Sequence, residues 1–340
     1  MNADGRSFRS CPTETYHLVR LSRERILLLV LLAATVAVWF LVWGEVNNDL
    51  RITVLDVGQG DCILVQAPGG RTMLVDGGGM HGQEASGYDI GHEVVVPALM
   101  VRGVRKIDVL VITHPHDDHV GGLPAVAEEM PVTLALDPMI ESESEAYAAL
   151  KKALQDGRVP VERVSEGARI NLGRGIYADV LNPPEPLLLG GDSDENDNSV
   201  VLRLVDGDVT VLLAADIEEV GAARLAGYGE AIHSTILKVP HHGSAGAAQP
   251  GFLDAVRPEL AVISVGANNP FGHPSDEMMR ELERVGAKVM RTDRDGAITL
   301  TIRPPRWRAM GYAGTAQHRS APMTADERGW QERPLLPSKR

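Results

Sequence analysis

Cysteine is nearly absent from the chain, which has two, Cys11 and Cys62, among 340 residues. Two cysteines exclude a disulfide scaffold and a four-cysteine zinc site. Any bound metal therefore has to rest on histidine and carboxylate ligands. Aromatic residues are also scarce, at 4 %, but 44 % of the residues are hydrophobic. This apolar fraction is enough to bury a core, so disorder over most of the chain is excluded.

Basic residues are outnumbered by acidic ones, 33 to 46, and the formal net charge is −13. This excess argues against a coat of Lys and Arg for duplex nucleic acid, because such affinity comes from neutralised phosphates. The charge is distributed unevenly along the chain. Residues 1–44 and 305–340 carry net charges of +2 and +4, whereas residues 45–304 carry −19. The acidity therefore belongs to the predicted globular part.

One long uncharged run, residues 26–43, reads ILLLVLLAATVAVWFLVW. As a helix it would extend about 27 Å, close to the hydrocarbon thickness of a bilayer, so it predicts a transmembrane anchor. A buried core helix and a cleaved signal peptide are the alternatives. Arginines precede the run, whereas Glu45 and Asp49 follow it. This bias predicts a single-pass protein of the cell membrane, with residues 1–25 cytoplasmic and the acidic domain extracytoplasmic.

From residue 50 onward the chain consists of short apolar runs bounded by glycine. The first three runs predict a meander of antiparallel strands: 51–57, 61–67 and 72–79. The run at 107–113 predicts a buried strand, and strand and helix patterns alternate after it. This order predicts an α/β fold with two mixed sheets packed together and helices outside. Residues 182–198 are predicted to form a loop and residues 305–340 a disordered tail.

The densest cluster of potential metal ligands follows the buried strand and reads THPHDDHVGG, residues 113–122. His114 and His116 lie at the strand end, and the following turn brings Asp118 and His119 round to face them. Four nitrogen and oxygen ligands this close together suit a pair of divalent ions such as Zn²⁺. The glycines after them allow the backbone to turn tightly beneath the metals.

THPHDDHVGG resembles the metal-binding motif of the metallo-β-lactamase superfamily, and VLVDGGG resembles its preceding strand-to-loop segment. Five more motifs occur in the order found in the lactamase-like domain of ComEC-type competence proteins: LDVGQGD, ENDNSVVL, LLAADIE, KVPHHGS and NNPFGHP. The resemblance covers about residues 50–304 and implies a four-layer αββα sandwich, with a hydrolase domain over 48–304. ComEC-type proteins carry this domain beside a many-helix channel. This chain resembles the domain alone, on a single anchor.

The resemblance implies six metal ligands in this chain: His114, His116, Asp118, His119, Asp216 and His242. The first two would hold one ion and the next two the other, together with His242, while Asp216 bridges both. Asp216 as a helix N-cap and the His241-His242 pair as a surface turn are the structural alternatives. One or two divalent ions are expected, with Zn²⁺ favoured and Mn²⁺ as the alternative.

Three further residues, Asp76, Asn198 and His241, are implied as partners of the ligands or as possible ligands. His241 would replace His242 or support it, and Asp76 would orient His116 or the motif loop without binding metal. The third histidine of the first site is missing, because its segment, residues 195–199, offers Asn196 and Asn198 instead. The first site is therefore expected to be weaker, or completed by water or substrate.

The resemblance also implies hydrolysis in which the metals activate a water molecule, without a side-chain nucleophile. Asp118 is expected to orient this water and share its proton. His273 is expected to polarise a phosphoryl oxygen or to protonate the leaving group. The alternative for His273 is a structural role in which it bonds a loop carbonyl.

The expected substrate is a phosphodiester, and the resemblance suggests single-stranded DNA and a part in DNA uptake. The net charge of −19 opposes this choice, because proteins that bind single strands guide them along a basic groove. A cell-surface phosphodiesterase for small phosphoesters or wall polymers is the first alternative. A non-catalytic metal-binding surface module is the second. The sequence predicts no particular protein partner.

Overall fold

The computed structural model describes five stretches of the chain: 22–46, 49–79, 88–312, 323–326 and 329–332. A helix, α1 (Arg23–Val46), belongs to a first unit that ends at Val46, and the remaining elements belong to a second. In the described chain no helix has both the length and the apolar character to cross a membrane, so the predicted anchor over 26–43 is not confirmed. Most of the predicted cytoplasmic segment, residues 1–21, lies outside the described residues.

Seventeen strands are described. In chain order they are β1 (Leu50–Val54), β2 (Ile63–Gln66), β3 (Thr72–Val75), β4 (Val109–Val111), β5 (Ala135–Asp137), β6 (Val161–Arg163), β7 (Arg169–Gly173), β8 (Ile176–Asn182), β9 (Val201–Asp206), β10 (Val209–Leu213), β11 (Ile236–Lys238), β12 (Leu260–Ile263), β13 (Lys288–Arg291), β14 (Ala297–Arg303), β15 (Arg306–Tyr312), β16 (Met323–Asp326) and β17 (Gly329–Glu332).

These strands form two mixed sheets. The first has the order β17-β16-β15-β14-β1-β2-β3-β4-β5-β6 and the second β13-β12-β11-β10-β9-β8-β7. The predicted antiparallel meander is confirmed as β1, β2 and β3, and β3 to β6 then run parallel to one another. In the second sheet, β10 to β13 are parallel. The strands that lead to the predicted ligands therefore come from both sheets.

The helices of the second unit are short. After a π-helical turn (Gly91–Val95) they are α2 (Val96–Val101), α3 (Asp117–Val120), α4 (Leu123–Glu129), α5 (Glu145–Asp156), α6 (Asp194–Asp197), α7 (Glu219–Ala226), α8 (Pro250–Val256), α9 (Asp276–Arg284) and α10 (Thr292–Asp295), with 3₁₀ turns at Gly229–Ile232 and Pro240–Gly243.

Alternating side chains divide the interior into three apolar layers. On β2, Ile63 and Val65 face the second sheet, while Leu64 between them packs under the helices that cover the first sheet. This is the period of two that a strand buried on both faces requires. A third apolar cluster joins the second sheet to α7, α8 and α9. The order of layers is helix, sheet, sheet, helix, as predicted.

The predicted disordered tail, residues 305–340, is wrong in part, because three described strands, β15, β16 and β17, lie within it. Residues 306–312 form β15, which pairs antiparallel with β14 along its whole length. Trp307 and Ala309 are buried in the core between the sheets, while the arginines on either side of Trp307 are exposed. This alternation is a strand signal that the prolines and arginines of the segment concealed. Residues 313–322, 327–328 and 333–340 lie outside the described part of the chain.

Candidate metal centre

The metal-binding motif, residues 113–122, follows β4, contains α3 and packs against two glycine loops. A Cβ atom at Gly60 would lie 2.1 Å from the carbonyl oxygen of Asp118, and one at Gly79 would lie 2.0 Å from that of Asp117. Both glycines also have positive φ, 119° and 149°. Any other residue at either position would push the motif loop away, so LDVGQGD and VDGGG hold the motif in place.

Asp76 fixes the imidazole of His119 from below. Its carboxylate is fully buried and accepts hydrogen bonds from the backbone N–H of Thr113 at 2.9 Å and from His119 Nδ1 at 2.8 Å. Burial raises the pKa of Asp76, while the charge and hydrogen bond of His119 oppose the rise. The sequence predicted that Asp76 orients His116 or the motif loop, and its hydrogen bonds go to the motif, at Thr113 and His119, with the His119 ring in place of that of His116.

Thr113 fixes the tautomer of His114. The Thr113 hydroxyl donates to Asp76 Oδ2 at 2.7 Å, so its oxygen is free to accept from His114 Nδ1 at 3.0 Å. Nδ1 therefore carries the proton, and Nε2 of His114 is a buried atom with no hydrogen-bond partner. Burial, and then the charge of His119, lower the pKa of His114 well below its ordinary value. A neutral imidazole whose Nε2 carries no proton and has no hydrogen-bond partner is the form that binds metal.

His242, which follows a strand of the second sheet, resembles His114 in having its Nδ1 hydrogen-bonded to the protein. Its Nδ1 donates to the carbonyl oxygen of Ser264 at 3.0 Å, and its Nε2 points toward the motif. His241 and His242 form a turn after β11 with φ of 44° and 52°, a left-handed conformation that few residues other than glycine adopt. Such backbone strain is concentrated at functional sites, and here it turns the His242 ring inward.

Four side chains converge on one point. The ligand atoms of Asp118, His119, Asp216 and His242 all lie within 4.8 Å of one another. Asp216, which follows β10, is at the centre, with Oδ2 at 3.1 Å from His119 Nε2 and 3.2 Å from His242 Nε2. Asp118 Oδ2 lies 3.2 Å from the same nitrogen of His242. The His119 Nε2 and Asp216 Oδ1 atoms are nevertheless buried without a hydrogen bond.

The carboxylates and imidazoles of this group shift one another's pKa. Burial alone would lower the pKa of both histidines, but the carboxylates, Asp216 foremost, hold that of His119 well above its ordinary value and raise that of His242 to about 9. Burial alone would raise the pKa of Asp118 and Asp216, yet His119 and His242 hold both below the ordinary range. Without a metal, protons on the two imidazoles compensate the two carboxylates. A divalent cation fits this donor set, and its binding would release the imidazole protons.

A buried ion pair that sequence analysis missed supports the cluster. The Lys238 ammonium, 1 % exposed, pairs with Asp61, donates to the carbonyl oxygen of Ala215 at 3.1 Å and lies 3.6 Å from Asp216 Oδ1. Burial alone would lower the pKa of Lys238, but Asp61 and Asp216 raise it. Asp61 also belongs to a second convergent trio with Asp76 and His119. Within this trio Lys238 compensates Asp61 and His119 compensates Asp76, so the trio needs no metal ion.

His116 lies on the more exposed side of the site. Its Nε2 is 2.7 Å from the carboxylate of Glu195, and both side chains are about one third exposed. Beside them Asn196 is buried and lines the cleft, and its Oδ1 has no hydrogen-bond partner. Glu195 and Asn196 thus occupy the segment where the family pattern has a histidine. His114 and His116 do not join the convergent group of four.

Two predicted residues do not join the convergent group of four. Asn198 donates to the carbonyl oxygens of Leu188 and Asp194 and accepts from the backbone of Leu188, so it holds its own loop together. His241 pairs through Nδ1 with Glu218, and its Nε2 is 3.8 Å from Asp216. Of the two adjacent histidines, His242 is the one that belongs to the convergent group.

A cleft of about 560 Å³ opens above the cluster. His273 lines it from the loop after β12, half-buried, with a buried Nδ1 that has no hydrogen-bond partner. Burial, and then the charges of His241 and His242, lower the pKa of His273 to about 4. His273 is therefore neutral at pH 7. A neutral imidazole can donate one hydrogen bond to a substrate oxygen, but it is a poor donor of a whole proton to a leaving group.

A two-sheet sandwich with a histidine and aspartate cluster at the ends of strands from both sheets defines a metal-dependent hydrolase. The chain belongs to the metallo-β-lactamase superfamily, since residues 55–267 match the family model of that name. The fold and the metal-binding character predicted from the sequence are confirmed at this level.

Among curated proteins, ComE operon protein 3 of Bacillus subtilis is 28 % identical over 81 % of this chain and 37 % of its own length. Competence protein ComA of Neisseria gonorrhoeae is 31 % identical over 75 % of this chain and 33 % of its own length. The resemblance to ComEC-type competence proteins is thereby confirmed, and the chain spans about a third of the length of these relatives. Among solved structures, Igni18, a metallo hydrolase of Ignicoccus hospitalis, is 17 % identical and covers 74 % of this chain and 100 % of its own, with a TM-score of 0.49.

Proposed function

We propose that this chain is a metal-dependent phosphodiesterase and that its substrate is single-stranded DNA. The observation that carries the proposal is the convergence of Asp118, His119, Asp216 and His242 at the base of an open cleft. A divalent ion held by these four residues would lower the pKa of water and stabilise the charge that accumulates on phosphorus. Zn²⁺ suits two imidazoles and two carboxylates, and Mn²⁺ is the alternative.

The side chains have separate tasks in this proposal. Asp118 is the most exposed of the four ligands and lines the cleft. Its depressed pKa keeps the carboxylate ionised at neutral pH, so it can accept a hydrogen bond from the attacking water and orient it. His273, neutral at pH 7, donates its N–H to a phosphoryl oxygen. This leaves polarisation, rather than protonation of the leaving group, as the proposed role of His273.

The choice of DNA is supported by the competence proteins that the chain resembles, and it is opposed by charge. In the described part of the chain, none of the residues lining the cleft is Lys or Arg. A small phosphoester, which needs no basic groove, is therefore the second candidate substrate. The membrane anchorage over residues 26–43 and the extracytoplasmic location stay predictions of the sequence.

The test uses the full chain, stripped of metal and reloaded with Zn²⁺ or Mn²⁺. We expect turnover of bis-p-nitrophenyl phosphate and of a single-stranded oligonucleotide, and little turnover of a β-lactam. Asp118→Asn should abolish both activities, whereas Asp156→Asn, on the exposed face of α5, should leave them unchanged. Full metal occupancy without turnover of any phosphodiester would reject the enzyme in favour of a metal-binding surface module. Turnover of the small ester alone would reject DNA.

A further inference from the structure

One aromatic ring at the mouth of the cleft is exposed to solvent. Phe271 is 65 % exposed and lines the cleft together with Pro270 and His273. The chain has only four phenylalanines, and Phe252, in α8, is fully buried. The exposed ring at the cleft is therefore available to a ligand with a flat apolar face.

The loop that carries Phe271 is fixed by one asparagine. The Asn269 side chain donates to the carbonyl oxygens of Gly266 at 3.1 Å and His273 at 2.7 Å. Its Oδ1 accepts from the backbone N–H of Phe271 at 3.2 Å and of His273 at 3.0 Å. These four bonds hold the loop in the shape that presents the ring. A ligand that packs on it therefore has little loop entropy to overcome.

The exposed ring is the outer end of a row of rings that reaches the metal ligands. Phe271 is stacked beside His273, with centroids 5.7 Å apart and planes inclined by 29°. His273 is 5.6 Å from His241, which is 6.0 Å from His242. A molecule whose phosphate lies at the metal ligands and whose planar group lies outward along this row would meet Phe271. A nucleotide has this arrangement, with a flat base next to a phosphodiester.

The electrostatics of the cleft limit the sources of affinity for a nucleic acid strand. Since no Lys or Arg lines it among the described residues, the affinity for a nucleic acid strand cannot come from a basic groove there. Stacking on an aromatic ring is the other main source of affinity for single strands, and it accepts every base. It would also be nearly independent of salt, unlike neutralisation of phosphates.

We propose that Phe271 is a stacking platform for a nucleobase of the strand whose phosphodiester lies at the metal ligands, which makes the preferred substrate a phosphodiester that carries a base. This inference rests on the proposed phosphodiesterase function and narrows its substrate class. The ring positions the substrate and takes no part in bond cleavage.

The test measures binding, using the full chain loaded with Zn²⁺ and short oligothymidylates with non-hydrolysable linkages and a fluorescent label at one end. A matched oligonucleotide carries abasic sugars in place of the bases. We expect Phe271→Ala to weaken binding of the base-containing strand by about 5- to 150-fold, the range for one stacked base. Its affinity for the abasic strand should hardly change, and Phe271→Trp should restore the preference for bases. Val101→Ala, at an exposed apolar residue outside the cleft lining, is the control and should change neither.

Two results would overturn the stacking platform. One is a wild-type protein that binds the abasic strand as tightly as the base-containing strand. The other is a Phe271→Ala variant that loses affinity equally for both, which would mean that the ring packs on sugar. Failure of the proposed function gives a different result, because the loaded wild type would then turn over no phosphodiester whatever its binding preference.

Discussion

Lys238 and Asp61 form an ion pair that is almost completely buried beneath the metal ligands, and the same ammonium lies 3.6 Å from Asp216 Oδ1. Each partner would be costly to bury without the other. The Lys238 charge also offsets the repulsion between Asp61, Asp216 and Asp76, each of which raises its pKa. The ion pair therefore contributes both to the stability of the fold and to the position of Asp216.

Breaking this pair should destabilise the protein strongly. We expect Lys238→Met to lower the free energy of unfolding by about 3–5 kcal/mol, because Asp61 is left buried without a counter-charge. The double variant Lys238→Met/Asp61→Asn should lose less than the two single variants together, since neither charge is left alone. Denaturant unfolding measures all three. Lys152→Met, at an exposed pair on α5, is the control and should leave the free energy nearly unchanged. Additive losses in the double variant would contradict the coupling.

The protonated form of His242 should stabilise the protein when chelator keeps metal away. Its pKa is raised from about 6.5 to about 9, so its contribution is complete below pH 6.5 and is lost as the pH rises through 9. A shift of this size corresponds to about 3 kcal/mol. Denaturant unfolding in EDTA at several pH values, for the wild type and for His242→Gln, should show the difference between them shrinking from pH 6.5 to above 9. A difference that stays constant with pH would refute the assignment.

His273 should act through its N–H and not through a transferred proton. We expect His273→Ala to lower kcat/KM for a phosphodiester by about 10²- to 10³-fold, the cost of one lost donor to a developing charge. His273→Gln keeps an N–H donor and should retain activity within about tenfold of the wild type.

The pH profile provides a second check on this role. Because the pKa of His273 is about 4, the two substitutions should not remove an ionisation near pH 6.5 from the profile of kcat. His233→Ala, at an exposed histidine outside the cleft lining, is the control and should be fully active. A Gln variant as inactive as the Ala variant, with a lost ionisation near neutrality, would instead support proton transfer.

The sequence predicts those parts of the site that are carried by contiguous motifs. THPHDDHVGG contains two of the four convergent ligands, and the motifs LLAADIE and KVPHHGS contain the other two, Asp216 and His242. The run at 107–113, predicted as a buried strand, contains β4. In each case a local apolar pattern or a dense cluster of ligands carries the information.

The parts that the sequence did not reveal depend on contacts between distant residues. Asp61 and Lys238 are far apart in the chain, and nothing local indicates that they pair. The contact of His116 with Glu195 and the orientation of His119 by Asp76 are likewise products of packing between segments. The tail was misjudged for another reason, because β15 is an outer neighbour of β14 whose arginines face solvent.

Restoring the missing histidine should change the number of bound ions. Asn196 is buried at the cleft beside His116 and Glu195, with an Oδ1 that has no partner, so a ring there could reach the open side of the site. We expect the wild type to bind about one Zn²⁺ tightly per chain, since four ligands converge on one point. Asn196→His should bind about two, because it supplies the third imidazole next to His114 and His116.

Metal analysis after dialysis, together with calorimetric titration of Zn²⁺ into the stripped protein, measures this change. Asn198→His is the matched control, since Asn198 bonds only its own loop and a histidine there should leave the stoichiometry at one while costing stability. A second tight ion in the wild type would mean that Glu195 or Asn196 already completes the first site. In that case Glu195→Ala should remove it, because Glu195 is the carboxylate that contacts His116.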